Sequence, residues 1–453
     1  MTAVFIFQRS FRLHDNLGLL AALEKYTVIP IFIFTYDQVR DNEYFNKNSF
    51  QFMLESLQDL QKQLTEYGAT LYLFYSTVIN TLEYIIKYIP IQAVYVNTDY
   101  TPYARTRDRT IKNFCTDYNL DFHSVQDYTL INIGQISEHK KFYKVFSPFY
   151  KYVQNLEFPK PRKIQNPHFY TRLPEELIKL VTNMPTPPVN PKIVESGGRI
   201  QGLQRLRDLK KFSNYAETRD NPNDHTTMLS AHLKYGTISI REVYHRIVDT
   251  LGADSALLRE LFFHDFYASL MWNLDFYDTL GGGNFKHLQI SWKNNKTYWN
   301  AWKTGTTGFP LVDAAMRQLV TSGYMNNRCR MVVASTLTLL LNVDWKKGEK
   351  FFAKNLVDYD PSSNVFNWQI QAGVGPERGF LKVFNPWTQG KKYDPKATYI
   401  KTWIPELQDV PASDIHQWNV KFSDYSTNYP EPIVEYEKMK KRVTTRYRGA
   451  EKY

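Results

Sequence analysis

The chain has 453 residues, 43% hydrophobic and 22% charged, a composition that excludes a disordered chain and fits about two to four packed domains. It contains no run of about 18 apolar residues, so a membrane-spanning helix is not expected, and its two cysteines cannot frame a disulfide scaffold or a cysteine-built zinc site. Lys and Arg outnumber Asp and Glu by 56 to 45, a formal charge of +11 that suits a polyanionic partner.

The opening Met1-Thr2-Ala3-Val4-Phe5-Ile6-Phe7 has no basic leader and reads as a strand rather than a signal peptide, which points to a reducing compartment, cytoplasm or nucleus. Apolar, β-rich runs follow at 28–34, 70–74 and 93–97, and helix-like segments at 17–25, 50–67, 78–88 and 103–118. This rhythm predicts βαβ units, hence a Rossmann-like α/β domain with a parallel sheet over residues 1–130. A run as apolar as Ile29-Pro30-Ile31-Phe32-Ile33-Phe34 is expected of a strand covered on both faces.

Residues 131–205 read as an interdomain linker lying on the surface, because Pro159, Pro161, Pro167, Pro174, Pro185, Pro187, Pro188 and Pro191 leave no room for long helices or central strands. Helical periodicity dominates from 206 onward, clearest at 256–274 and 328–341, with glycine-bearing loops at 281–283, 305–308 and 373–379. A larger all-α domain over 206–453 is predicted, ending in a short basic tail (Lys438, Lys440, Lys441, Arg442, Arg446, Arg448) that reads as a solvated helix face.

The familiar nucleotide cradles G-x-G-x-x-G and G-x-x-x-x-G-K-[ST] are missing, as are H-E-x-x-H and G-x-S-x-G, so metal-dependent and serine hydrolysis are poorly supported. Four segments concentrate unlike functional groups. Tyr215, Arg219 and Asp220 precede Thr226-Thr227-Met228-Leu229-Ser230, where hydroxyls lead into a helix start that could hold a phosphate or simply be capped. Glu260, His264 and Tyr267 fall on one helix face. Arg328 and Arg330 flank an apolar helix and suit phosphate or a buried ion pair. Asp358 and Asp360, with Asn364 and Trp368 beyond, could pair with Arg330, position a ribose or bind a cation.

Three strings carry a resemblance: Phe11-Arg12-Leu13-His14-Asp15-Asn16, Gly308-Phe309-Pro310-Leu311-Val312-Asp313-Ala314-Ala315-Met316-Arg317-Gln318-Leu319, and Phe384-Asn385-Pro386-Trp387-Thr388-Gln389-Gly390-Lys391-Lys392-Tyr393-Asp394. With them the chain resembles the photolyase/cryptochrome superfamily from residue 3 to about 420. The resemblance implies an N-terminal α/β domain, a helical domain binding FAD that is active when reduced, and light-dependent repair of flipped-out pyrimidine lesions in UV-damaged DNA by a monomer. It matches Tyr215, Thr226, Thr227, Met228, Leu229 and Ser230 to the phosphate-binding segment of FAD, and Asp358-Tyr359-Asp360 to a second FAD segment. Arg330 and Asp358 match an ion pair beside the isoalloxazine, and Asn364 matches the position facing flavin N5. Trp368, Trp345 and Trp292 match a three-tryptophan electron chain. Glu260, Asn327, Arg328 and Gln389 match lesion or DNA contacts, with Phe263, His264 and Tyr267 beside them and Arg219 and Lys382 as phosphate contacts.

Met331 resembles the residue of cyclobutane-dimer (class I) enzymes, where the (6-4) branch uses His, and Asn364 fits a photolyase better than a photoreceptor. The alternatives implied are a cryptochrome-type blue-light receptor and a (6-4) photolyase. The chain departs from the dimer pattern at Phe263 and Ile370, where Trp is usual, and at His264 and Met228, where Arg is usual. A smaller aromatic at 263 implies a lesion grip weaker by about 1–2 kcal/mol if one stacking contact is lost. Asp99-Tyr100-Thr101-Pro102-Tyr103-Ala104 with Arg107 and Asp108 matches the framework around an antenna chromophore, a folate or a deazaflavin.

Overall fold

A computed structural model of the chain describes all residues but 41, 139–142, 186–188, 225, 276–278, 280, 282, 377–380 and 451–453, with the side chains at 135, 137, 138 and 448–450 also outside the description. Pro187, Pro188, Gly282, Gly379 and the Arg448 side chain therefore lie outside the described residues. By packing the chain divides into two units: Met1–Val189, Glu195–Ser213 and Thr227–Asn273 form the first, and Asn190–Val194, Asn214–Thr226 and Leu274–Tyr453 the second.

The first unit carries a five-stranded parallel sheet in the order β3-β2-β1-β4-β5, with β1 Thr2–Phe7, β2 Thr27–Phe34, β3 Tyr72–Tyr75, β4 Ala93–Asn97 and β5 Asp121–Val125. The predicted Rossmann-like fold is present. Its crossover helices, Leu17–Leu23, Lys47–Thr65, Val78–Tyr88 and Pro102–Asp117, start where Asn16, Asn46, Thr77 and Thr101 accept first-turn N–H groups. β5 has no counterpart in the sequence reading, since Asp-Phe-His-Ser-Val offers no apolar run; pairing with β4 makes it a strand.

The proline-rich stretch does not lie wholly on the surface. Leu173 and Leu177 enter the core on one sheet face, and Phe169 and Val181 form bridges to Val28 and Phe74. Proline keeps helices there short but does not stop docking: Leu177 reaches the core from the helix Glu175–Ile178, which starts after Pro174. The stretch also ends in a helix, Arg199–Arg207.

The Phe11–Asn16 string builds an interior. Arg12 and Arg241 face Asp127 at 2.7 Å each, Arg241 Nε lies 2.8 Å from Asp15, and Ser10 Oγ donates to Asp127 at 2.8 Å. Ser239 also donates to Asp15, and Asn16 caps the helix Leu17–Leu23 while bonding Asn97 at 2.9 Å. All four charged side chains are buried, so each depends on its partners.

The second unit is helical. Its centre is the helix Pro310–Ser322, nearly all of whose first turns are buried. Asp313 accepts from Thr307 N, Thr307 Oγ, Gly308 N and Tyr429 Oη, which ties the loop before the helix to a distant segment. Burial outweighs these bonds and pushes the Asp313 carboxyl up to about 6. Gly308 is fixed by space and by φ: at +77° a Cβ there would stand 2.3 Å from Glu431 O.

The segment 328–341 is not one α-helix. Asn327–Ser335 is α-helical and Thr336–Leu340 is π-helical. Thr338 Oγ bonds Ala334 O, and the Arg446 guanidinium takes Thr338 O and Leu339 O at 3.3 and 3.0 Å, so side chains intrude on the helical ladder. Arg446 is thus turned inward from the helix Tyr436–Ala450, whereas Lys438, Lys440, Lys441 and Arg442 are exposed as expected. Among the described residues no helix is long and apolar enough to cross a membrane.

Arg241→Ala leaves Asp15 and Asp127 buried with less counter-charge and is expected to cost about 3–5 kcal/mol, read as a lower urea midpoint. Burial alone would raise the Asp127 carboxyl, but Arg12 and Arg241 hold it below its ordinary value. A depressed folded pKa gives stability that is complete above the unfolded value of about 4 and lost as pH falls through the folded one. Asp127→Asn should therefore flatten the acid limb of the stability–pH curve below about pH 4.

Candidate functional site

In the second unit, Arg330 and Asp358 meet as an ion pair, one of the possibilities left open. Arg330 Nη2 lies 2.9 and 3.1 Å from the two Asp358 oxygens, and Nε donates to Met325 O at 2.8 Å. The Arg330 side chain is 26% exposed and Asp358 6%, so the guanidinium is held in place yet reaches open space. Asp360 takes a different part: its Oδ1 accepts from Ser362 N, Ser363 N and Ser362 Oγ and caps the helix Pro361–Gln371.

Asn364 sits one turn into that helix. Its Nδ2 donates to Glu349 Oε1 at 3.0 Å and to Glu349 O at 3.2 Å, and Tyr359 Oη donates to the same Oε1 at 3.2 Å. A backbone carbonyl only accepts, so the amide nitrogen is fixed on Glu349 and Asn364 Oδ1 is turned the other way. Glu349, 1% exposed, is absent from the sequence reading. Its signal was available: Trp345, Gly348, Glu349 and Phe352 share the i, i+3, i+4, i+7 face that the helix Trp345–Ala353 buries.

Trp368 lies in the core of this unit with its ring against that helix. A Cβ at Gly348 would stand 2.2 Å from Trp368 Cη2, so only glycine admits the indole. Trp345 is buried in the same cluster, and Trp292 is packed at its rim with the Arg446 guanidinium 5.5 Å from its ring centre.

The other predicted residues of this unit separate into two kinds. Thr226 Oγ1 and Tyr324 Oη lie 3.0 Å apart, and the Arg219 guanidinium lies over the Tyr215 ring at 6.0 Å. Arg328 is already paired with Asp220 at 2.6 Å and covered by Tyr393, so less of its charge is available to a phosphate than the sequence suggests. Asn327 is exposed with Nδ2 4.0 Å from Met331 Sδ, and Lys382 is exposed beside Phe384. Gln389 Oε1 is buried without a hydrogen-bond partner among the described residues, an orphan acceptor where a contact was expected.

In the first unit, Met228 is left-handed (φ +57°) and no side-chain bond from it caps the helix Leu229–Tyr235, beside which Thr227 is buried. Glu260, Phe263, His264 and Tyr267 all lie on the helix Ala256–Asn273. Glu260, Phe263 and His264 are half-buried and Tyr267 is buried, so of the three residues expected on one face Glu260 and His264 are partly exposed and Tyr267 is turned inward. Phe263 stacks on Phe146 with ring centroids 3.5 Å apart and planes 8° apart, which occupies one of its faces. His264 Nδ1 lies 3.0 Å from Asp265, itself fully buried with its carboxyl raised by burial. Asp99 accepts from Thr101 N and pairs with Arg9 at 3.0 Å, and Thr101 caps the helix Pro102–Asp117, so much of that framework string has structural employment.

Residues 3–167 match the family described as "DNA photolyase", and residues 257–449 match "FAD binding domain of DNA photolyase". The chain belongs to the DNA photolyase family. Deoxyribodipyrimidine photo-lyase of Alkalihalophilus pseudofirmus is 32% identical to it, over 98% of this chain and 97% of that one. A crystal structure of an archaeal photolyase from Sulfolobus tokodaii with two FAD molecules superposes with a TM-score of 0.87 at 35% identity, covering 99% and 100% of the two chains. A cryptochrome from Synechocystis superposes with a TM-score of 0.84 at 25% identity, covering 98% and 99%.

The residues present suit a flavin. Within the second unit, a tethered but open-edged guanidinium and a fixed amide oxygen give a cation and an acceptor of the kinds an isoalloxazine engages. Arg330→Met would strand the Asp358 carboxylate; the expected result is a loss of about 1–3 kcal/mol in unfolding free energy and a clear drop in visible flavin absorbance per protein after purification.

Proposed function

We propose that this photolyase repairs cyclobutane pyrimidine dimers in UV-damaged DNA with light. The observation that carries the reading is similarity along 98% of the chain to relatives named deoxyribodipyrimidine photo-lyase. When bound in reduced form and illuminated, FAD supplies the electron that opens the cyclobutane ring and recovers it afterwards. The protein's residues bind, orient and exclude water.

In this reading Tyr215, Thr226, Thr227, Met228, Leu229 and Ser230 hold the FAD phosphates, with Asp358, Tyr359 and Asp360 in support. Arg330 keeps a positive charge beside the flavin, held in place by Asp358 at 2.9 Å. Asn364, its amide fixed by Glu349, presents Oδ1 as an acceptor for an N–H such as that of flavin N5. Glu260, Met331, Asn327 and Gln389 meet the flipped lesion, and the orphan Gln389 Oε1 supports a contact with a base N–H. Phe263, His264 and Tyr267 flank the lesion, Arg219 and Lys382 take phosphates, and Arg328 contributes weakly because Asp220 already neutralises it. Trp368, Trp345 and Trp292 pass electrons inward when the flavin must be reduced.

The same reading takes the protein as a monomer of the cytoplasm or nucleus, with an antenna chromophore held by the first unit. The likeness to a cryptochrome favours one alternative, a blue-light receptor. Purified protein, a thiol reductant, blue light and oligonucleotides bearing either lesion separate the two. Loss of the cyclobutane lesion supports repair; photoreduction of flavin with no lesion lost supports the receptor; loss of only the (6-4) lesion would overturn the substrate. Trp368→Phe should slow flavin photoreduction while enzyme reduced beforehand by dithionite still repairs; collapse of both would remove Trp368 from the electron chain.

A further inference from the structure

On the helix Ala256–Asn273 of the first unit, two neighbouring residues are held together across the boundary between core and solvent. His264 Nδ1 lies 3.0 Å from Asp265 Oδ1; the His264 side chain is 17% exposed and the Asp265 side chain 0%. Asp265 Oδ2 accepts from Ile131 N at 3.0 Å, so the carboxylate is anchored to the segment after β5 as well as to its own helix. Burial raises the Asp265 carboxyl, while His264 and the N–H groups of Ile131 and Leu130 oppose the shift. A carboxylate only accepts, so its hold makes Nδ1 the protonated nitrogen and Nε2 the atom at which the ring gains or loses charge.

The groups packed around this pair set the sign of its response. On the same helix, Glu260 lies one turn back on the face of His264, and Arg259 is drawn to the rings of Phe146, Tyr150 and Phe263, 5.3, 5.5 and 5.8 Å from their centres. The helix Phe146–Val153 meets it through rings, Phe146 on Phe263 and Phe149 on Phe266. From the helix Ile133–Glu138 the described buried side chains are Ile133 and Ile136. The segment after β5 brings Asp127, already paired with Arg12 and Arg241, and the helix Ile240–Leu251 brings Glu242, already paired with Arg199. Among the described residues of this unit, the charges beside the imidazole are therefore two acids, Asp265 and Glu260, whose fields favour a positive ring.

We propose that His264 is a proton-gated contact to DNA: its imidazolium, held by Asp265, donates from Nε2 to an oxygen of the lesion-bearing strand, and the neutral ring does not. The proposal rests on the dimer-repair reading above, in which His264 flanks the lesion. In the neutral ring Nε2 presents a lone pair, which repels a phosphate or carbonyl oxygen; one proton turns it into a charge-assisted donor. Binding to a ring that starts neutral therefore takes up one proton, and affinity rises as pH falls through the ordinary histidine value of about 6.5. That proton comes from water or buffer and returns there when the product leaves, and no bond between heavy atoms forms or breaks. Asp265 is a positioning residue: it decides which nitrogen faces the ligand and supplies the counter-charge.

The test measures the dissociation constant of the FAD-loaded full chain for a duplex carrying one cyclobutane dimer, from about pH 8.5 to about pH 5.5 at fixed ionic strength, with repair under blue light followed in parallel. Wild type is expected to bind roughly tenfold tighter at the acid end. His264→Gln should bind weakly throughout with that dependence removed, and His264→Arg, charged at every pH, should bind at the alkaline end about as tightly as wild type does at the acid end. Asp265→Asn, its fold checked by thermal melting, should keep the dependence with its midpoint displaced to lower pH, a change that loss of packing does not produce. A salt series identifies the oxygen: a phosphate makes the acid-end salt dependence of wild type steeper than that of His264→Gln by about one counterion, and a base carbonyl leaves the two equal. A pH dependence undiminished in His264→Gln, or a His264→Arg no tighter than His264→Gln at the alkaline end, would overturn the proposal. Failure of wild type to repair the dimer at any pH would instead overturn the repair reading, and the proposal with it, so the two failures are distinguishable.

Discussion

The first unit depends on a set of charges that water cannot reach. Arg12 and Asp15 follow β1, Asp127 follows β5, and Arg241 opens the helix Ile240–Leu251, so one cluster binds the beginning, the end and the return of the chain. Its net worth relative to an apolar core is small or negative, but each member is indispensable once the others are buried. That asymmetry explains why sequence position so remote as 12 and 241 act as one structural element. It also assigns the helices after Thr227 to the sheet-bearing unit rather than to the helical one.

In the second unit Trp368 organises the packing around the polar residues. The indole is accommodated by the missing side chain of Gly348, walled by Phe352 and Trp302, and carried on the same helix as Asn364. Glu349, adjacent to Gly348, sets the Asn364 amide. A single pair of packed helices therefore fixes both the indole and the polar group, and positions them with core rather than loop rigidity.

Much of the fold was legible because its cause is local. Apolar runs of four to eight residues gave β1 to β4, and Asn16, Thr77 and Thr101 mark helix starts that need no tertiary information. β5 was not legible because its five residues are held by β4 alone, and the π-helical Thr336–Leu340 was not because Arg446, more than a hundred residues away, helps to deform it. In the site, the Arg330–Asp358 pair was among the options the spacing left open, and the structure selects it. Glu349 was passed over because a buried Glu looks like any helix-face charge until its partners are known.

The sheet's two rims have a consequence for life at high concentration. Outer strands offer rows of backbone groups on which another chain could polymerise. Here the β3 side is occupied by Val181, brought there by the proline-rich stretch, and the β5 side is short and studded with Asp121, His123 and Ser124. In a chain with 32 tyrosines and 29 phenylalanines, covering the β3 rim in this way insulates the sheet against self-assembly.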